Sequence, residues 1–416
     1  MRVLLPFALL LLAAAPPPAG REGVATLAVD TDARWVPFDL TPGNQIRFTL
    51  TLDGAPLTAI LDTGVSYSVL ARAAADPARV QSDGQATAIG GAGSGAVAVG
   101  WQPTRTLTIG GLTRTGGGVT VADLPALATG SAKAVDMLIG RDAIGGQALD
   151  IDYANHRFRL LPSGRLPFVG ALAPLTISPA RHVYESQVRI GRRTLSPVIV
   201  DTGDGSALTL SESAARRAGV TRLPSTTTVS FGLAGETVST LTIVPTITVG
   251  EQAIRSVETR IEPANGFSET IGVAGRIGSG LLQNYRVLLD PAAGRMVLKP
   301  GPDANRPPLR STSGLLVGLE RDRLKVLHVM RGGPAATAGW QVGDLICRID
   351  GQPIGADYPT SALAKWSIGT PGTIVRLGLC DGTVRSLTLK RFYYTRSPFD
   401  AAREVLPRQG EDYRPA

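Results

Sequence analysis

Ile60-Leu61-Asp62-Thr63-Gly64 recurs farther along the chain as Ile199-Val200-Asp201-Thr202-Gly203. Each copy is an apolar, strand-like run that ends in an aspartate, a small hydroxyl residue and a glycine. An aspartate placed directly behind buried strand residues is partly desolvated, so its charge needs hydrogen bonds or a partner. Threonine can supply such a bond, and glycine permits the tight turn that brings backbone amides to the carboxylate. One such tripeptide would be an ordinary turn. Two, each behind a pair of large aliphatic residues, point to a paired site.

The surroundings repeat as well. Leu138-Ile139-Gly140-Arg141 follows the first copy and Arg276-Ile277-Gly278-Ser279 the second, at nearly equal distances (140 − 62 = 78 and 278 − 201 = 77). Farther on, the stretch from Leu149 to Pro162 aligns without a gap to that from Val287 to Pro300. Asp152 falls on Asp290, Arg157 on Arg295 and Leu160 on Leu298. A repeat this long indicates duplicated lobes, not a solenoid of short units.

From Leu40 to Pro300 these residues resemble the aspartic peptidases, in which two lobes each donate one Asp-Thr-Gly aspartate to a shared site. Leu138-Ile139-Gly140-Arg141-Asp142 is most similar to the retropepsin form of the strand behind the catalytic loop. The resemblance implies a mostly β fold: two duplicated pepsin/retropepsin-like β-barrel lobes in one chain. It implies Asp62 and Asp201 as the catalytic pair, with Thr63 and Thr202 cross-linking the loops and Gly64 and Gly203 shaping them. The glycine-rich segment around Gly90, Gly91 and Gly93 stands where the family carries a flap over the substrate. Gly232 and Gly235 mark its counterpart in lobe two, and neither segment holds the tyrosine usual in pepsin-like flaps.

Two positions depart from the pepsin pattern, which has Ser or Thr after the triplet: here stand Val65 and Asp204. Retropepsins tolerate a small apolar residue there, so Val65 is the milder change. An Asp204 aimed at the pair would raise its upper apparent pKa by like-charge repulsion. Because Asp204-Gly205 is also a common turn pair, our reading favours an outward, turn-forming Asp204.

Composition agrees with β structure. The chain has 416 residues, 49 glycines and 30 prolines, and few long amphipathic patterns. The formal charge of +8 is spread out, and no basic cluster interleaves with aromatics, which argues against a nucleic-acid partner. The strand expected over Ile46 to Leu52 alternates apolar and polar residues, and Asp53-Gly54 closes a hairpin into Leu57–Leu61. Residues 1–20 read as a secretory signal peptide: an early Arg2, an apolar run to Ala15, then Pro-Pro-Pro-Ala-Gly. No other stretch is long and apolar enough for a membrane span. The expected location is exported, periplasmic or secreted. His156, His182 and His328 are scattered, and the chain lacks metal-binding or serine-hydrolase motifs, so we expect no metal and no cofactor. His156 aligns with Gly294 and reads as a loop residue.

Residues 301–311 are linker-like. The module after them (Leu324–Met330, then Gly332-Gly333-Pro334-Ala335-Ala336, Gly343-Asp344 and Ile349-Asp350-Gly351-Gln352-Pro353) resembles a small α+β PDZ domain. That family binds a peptide as an added strand and captures its terminal carboxylate with backbone amides. Gly314, Leu315, Leu316 and Val317 occupy the corresponding loop, which lacks the usual second glycine. Cys347 and Cys380 are compatible with a disulfide or with two buried thiols.

The expected organisation is therefore a signal peptide (1–20), lobe one (21–170), lobe two (171–300), a linker (301–311), a PDZ domain (312–395) and a flexible tail (396–416). The expected activity is aspartic-type endopeptidase hydrolysis of a peptide or protein substrate by an Asp62/Asp201 pair and an activated water. The PDZ domain would bind substrate or a partner's C-terminal peptide. The alternative is a catalytically degenerate scaffold that only binds peptides. Pairing with a lobe of another chain, as retropepsin monomers do, is made unnecessary by the duplication.

Overall fold

The computed structural model describes residues 23–81, 87–89, 96–126, 134–232, 235–304, 306, 308–355 and 357–394. The expected signal peptide, the flap glycines Gly90, Gly91 and Gly93, and the tail 396–416 lie outside them. The chain is mostly β, as its alternating patterns require. Among the described residues no helix is long and apolar enough to cross a membrane.

Both Asp-Thr-Gly loops are built the same way. In lobe one the hairpin Ile46–Leu52/Ala55–Leu61 turns at Asp53 and Gly54, which both have positive φ, and leads straight into Asp62. Its inward residues Ile46, Phe48, Leu50 and Leu52 are buried and the intervening ones more exposed. In lobe two the hairpin Tyr184–Ile190/Arg193–Asp201 does the same for Asp201. Behind each hairpin a short strand runs parallel to its second arm: Met137–Ile139 beside 59–61, and Gly275–Gly278 beside 198–201. Each of these short strands also pairs antiparallel with the strand after the loop, Val69–Ala71 or Leu208–Leu210.

A six-stranded sheet joins the lobes. Its order is Ala171–Pro174, Arg295–Pro300, Tyr285–Asp290, Ala148–Asp152, Arg157–Leu161 and Val36–Pro37. In its centre Leu149 faces Leu289 and Ile151 faces Val287, so duplicated residues exchange places about a pseudo-twofold axis. His156 and Gly294 occupy the same left-handed turn position in the two copies, at φ 51° and 71°. The duplication is thus structural as well as sequential. Because strands of both lobes interleave in this sheet and their apolar side chains share one continuous core, neither lobe can close its hydrophobic face alone.

The C-terminal module is a sheet ordered Leu315–Glu320, Arg323–Val329, Leu345–Ile349, Ile374–Leu379 and Val384–Thr388, with a short helix over Pro334–Thr337. Its core holds Trp340, Ile346, Leu377 and Leu387. Cys347, on Leu345–Ile349, and Cys380, just past the neighbouring strand Ile374–Leu379, are joined as a disulfide, which decides between the two readings of these residues. The module sits on lobe two. Val229 and Phe231 of the hairpin Ser225–Gly232/Gly235–Val249 pack on Leu316 and Leu327, and Thr227 Oγ1 lies 2.8 Å from His328 Nε2. Tyr393, Met330 and Leu241 close the other side of this contact.

Candidate active site

The two loops meet between the lobes and hold each other by a reciprocal set of hydrogen bonds. Thr63 N donates to Thr202 Oγ1 and Thr202 N to Thr63 Oγ1, each at 3.0 Å. Thr63 Oγ1 donates to the Val200 carbonyl and Thr202 Oγ1 to the Leu61 carbonyl, each at 2.7 Å. All of these groups are buried, so every polar atom in the crossing needs the partner that it has. The cross-link expected of Thr63 and Thr202 is present.

The glycines allow the approach. A Cβ added to Gly64 would run into the carboxyl of Asp201, and one added to Gly203 would run into that of Asp62. Each aspartate therefore lies against the opposite loop, and the structure brings Asp62 and Asp201 together. Gly140 and Gly278 do the same one layer back, where a side chain would collide with the carbonyls of Val65 or of Asp204 and Ser206. The outer turns lock the arrangement crosswise: Asn44 Nδ2 donates to the Gly205 carbonyl, and Ser66 Oγ to that of Arg181.

Asp62 and Asp201 are fully buried. Asp62 Oδ1 accepts one amide, Gly64 N at 3.1 Å. Asp201 Oδ1 accepts two, Gly203 N at 2.9 Å and Asp204 N at 3.0 Å. The Oδ2 atom of each is buried and receives no N–H from the described residues, and the two carboxyls lie close enough to share a hydrogen bond with each other. Burial, followed by the charge of Asp201, pushes the Asp62 carboxyl well above the usual carboxylate range. Burial also pushes Asp201 up, to about 7, with the charge of Asp204 adding and that of Arg276 opposing. Two like charges packed this closely in a dry site cannot both ionise, so the pair retains a proton near neutral pH.

Asp204 corrects our expectation. It does not point outward: it is fully buried. It does form the expected turn, with its Oδ1 accepting Ser206 N at 2.9 Å. Its Oδ2, however, takes Thr209 Oγ1 at 3.0 Å and Arg276 Nε at 3.0 Å. Although burial opposes it, the neighbouring guanidinium groups of Arg276 and Arg260 and these hydrogen bonds hold Asp204 below the usual carboxylate range. Arg276 also contacts Glu262 at 3.0 Å and lies 3.8 Å from Asp201 Oδ2. Sequence reading missed Arg276 and Glu262. A signal for Arg276 existed, because the duplication sets Arg276 opposite Leu138 and Asp204 opposite Val65.

The remaining expected residues fall elsewhere. Gly232 and Gly235 face each other at the tip of the lobe-two hairpin, whose Val229 and Phe231 lie under the C-terminal module. Gly314, Leu315, Leu316 and Val317 enter the edge strand Leu315–Glu320. The amides around that entry already have internal acceptors. Thr312 N and Ser313 N donate to the Ser367 carbonyl, Gly314 N to Ser311 Oγ, and Leu315 N to Ser313 Oγ. The loop as it stands therefore offers little to a peptide carboxylate, in keeping with the missing glycine.

A search of curated proteins returns no match. Two family models do match, one described as aspartyl protease over residues 48–143 and one described as PDZ domain over residues 325–381. The first span contains Asp62-Thr63-Gly64 and Leu138-Ile139-Gly140. The second contains the strand, helix and turn pattern of the C-terminal module. The chain thus carries an aspartyl protease domain whose Asp-Thr-Gly loop is met by a duplicate of itself, followed by a PDZ domain.

Proposed function

We propose that this protein is an exported aspartic endopeptidase that hydrolyses peptide bonds with Asp62, Asp201 and an activated water. The observation that carries this reading is the reciprocal crossing of the two loops, which holds two fully buried carboxyls against each other. Such a pair shares one proton. The ionised member accepts a proton from water as that water attacks the scissile carbonyl, and the protonated member donates to the carbonyl oxygen. The Thr63 and Thr202 bonds fix both loops, so little reorganisation is needed as charge moves.

The PDZ domain supports recognition of a peptide by strand addition along Leu315–Glu320, an edge of its sheet. The occupied amides at 312–315 favour an internal segment over a captured C-terminus. The Cys347–Cys380 disulfide and the leader-like residues 1–20 support an oxidising compartment outside the cytoplasm.

The test is digestion of a peptide library by the purified protein over a wide pH range, with Asp62→Asn and Asp201→Asn in parallel. The parent should cleave, and each folded variant should lose cleavage by several orders of magnitude. The double variant should be no worse than either single one, because the two residues act as a unit. A folded parent that cleaves nothing at any pH would instead leave the peptide-binding scaffold.

A further inference from the structure

The C-terminal module meets lobe two beside its own free edge. Leu315–Glu320 is the last strand of the module's sheet and, among the described residues, pairs only with Arg323–Val329. Its two faces differ. Leu315 and Val317 turn inward, to a core that includes Ala364 and Trp366. Leu316 turns the other way and packs, with Leu327, on Val229 and Phe231 of the lobe-two hairpin. Gly318 is the next position on that outer face, since a Cβ added to it would meet the Leu327 side chain at 3.0 Å. Arg331 fastens the contact: its N donates to Thr227 Oγ1 at 3.1 Å, and its carbonyl accepts Thr226 Oγ1 at 2.9 Å. The second arm of the hairpin is left uncovered. Glu236 and Val238 are the cross-strand partners of Phe231 and Val229 and share their face, yet both are exposed, Val238 at 49%. Glu236 also stands near the module. Burial lowers the pKa of His328, which faces Leu316 across the strands, and a hydrogen bond with Thr227 and the charge of Glu236 oppose that shift.

We propose that a peptide held on Leu315–Glu320 is read on both faces, its inward side chains by the module and its outward ones by the lobe-two hairpin through Phe231, Val238 and Glu236. This rests on the strand-addition reading of that edge and makes lobe two the second half of the site. An added strand lies about 4.8 Å from the edge strand, and its side chains fall alternately on the two faces. Every second one therefore stands beside Leu316 or Gly318, on the side where the hairpin already packs. Gly318 presents no side chain of its own and leaves room there. A face made of Phe231 and Val238 takes an apolar group, and the carboxylate of Glu236 favours a basic group over an acidic one. The ligand that fits is an extended segment, apolar at its inward positions and apolar or basic at its outward ones. Pockets for alternate side chains are what give strand addition its specificity, and here one set of them belongs to another domain. Selection at the outward positions is thus a property of the whole chain, not of the module.

The experiment uses the full-length chain with Asp62→Asn, so that bound peptides stay whole. The probes are short peptides that alternate Val with Lys or Val with Glu; placing Val inward fixes which side chains face out. A photoreactive group at an outward position should label both Leu315–Glu320 and the hairpin Ser225–Gly232/Gly235–Val249, and one at an inward position the module alone. Glu236→Lys, a change at an exposed position, should then lower the ratio of Lys-peptide to Glu-peptide affinity by at least about fivefold at low salt, because it turns attraction into repulsion for one peptide and the reverse for the other. Labelling of Leu315–Glu320 without the hairpin, or an unmoved ratio, overturns the two-faced site and leaves strand addition standing. Peptides that never label Leu315–Glu320 remove strand addition, and this inference with it.

Discussion

At the residue scale the site depends on groups that have no slack. Thr63 Oγ1 both donates to the Val200 carbonyl and accepts from Thr202 N in a fully buried crossing. Thr63→Val keeps the shape and strands both partners. At about 1–3 kcal/mol for each of the two unsatisfied buried groups, the expected loss is roughly 2–6 kcal/mol, measurable by urea unfolding. Thr202→Val should cost about as much, because its bonds mirror those of Thr63; a large difference between the two would contradict the symmetry. Gly203→Ala is expected to abolish the proposed cleavage in the peptide-library digest, since its new methyl group would take the place of the Asp62 carboxyl. The sign of the pH dependence also follows here. Burial raises the folded pKa of Asp201 to about 7 from an ordinary 3.8, so between those values the folded state binds more protons than the unfolded one. Stability should therefore fall as pH rises through that window, by up to about 1.4 kcal/mol per unit for one such group. Asp201→Asn removes this contribution and should gain on the parent as pH rises from 4.5 to 7.5. An equal gap at both pH values would contradict it.

At the scale of elements, the lobe-two hairpin Ser225–Gly232/Gly235–Val249 is the piece that sequence placed and structure reinterpreted. Its glycines mark the tip as expected, but Val229 and Phe231 are buried against Leu316 and Leu327 of the PDZ module. Phe231→Ala should cost roughly 3 kcal/mol, as for a large-to-small change in a core, and should speed hydrogen exchange across both the hairpin and Arg323–Val329. Faster exchange in the hairpin alone would mean that the contact does not hold the module. Within the PDZ module the disulfide closes a separation of 33 residues. Its reduction should destabilise that module by about 3–4 kcal/mol on a chain-entropy view, read as a lower melting temperature under reducing conditions. The arms of the lobe-one hairpin were legible because Ile46, Phe48, Leu50 and Leu52 alternate so regularly. The docking of one module on another was not, because it rests on single side chains such as Thr227 and His328 that carry no periodic signal.

For the whole molecule, the amino-acid sequence by itself determined that two lobes exist and that their aspartates correspond. A gapless repeat from Leu149 to Pro162 can only build the same local structure twice, and strand alternation and turn glycines are local physics. It also determined the PDZ module, whose glycines and short strands follow one another within a few dozen residues. What only the tertiary structure decided is where charges end up. Asp204 looked like a solvent-facing turn residue because Asp204-Gly205 is a turn pair, and the turn is there. Its side chain is nevertheless buried, because Arg276, 72 positions away in sequence, comes beside it through the register of Thr209 with Arg276. The choice between a disulfide and two thiols waited in the same way on the pairing of Leu345–Ile349 with Ile374–Leu379. Backbone preferences act over a few residues and can be read along a chain. Whether a charge is tolerable in the interior depends on which distant partner packing brings to it, and that is settled only when the sheets close.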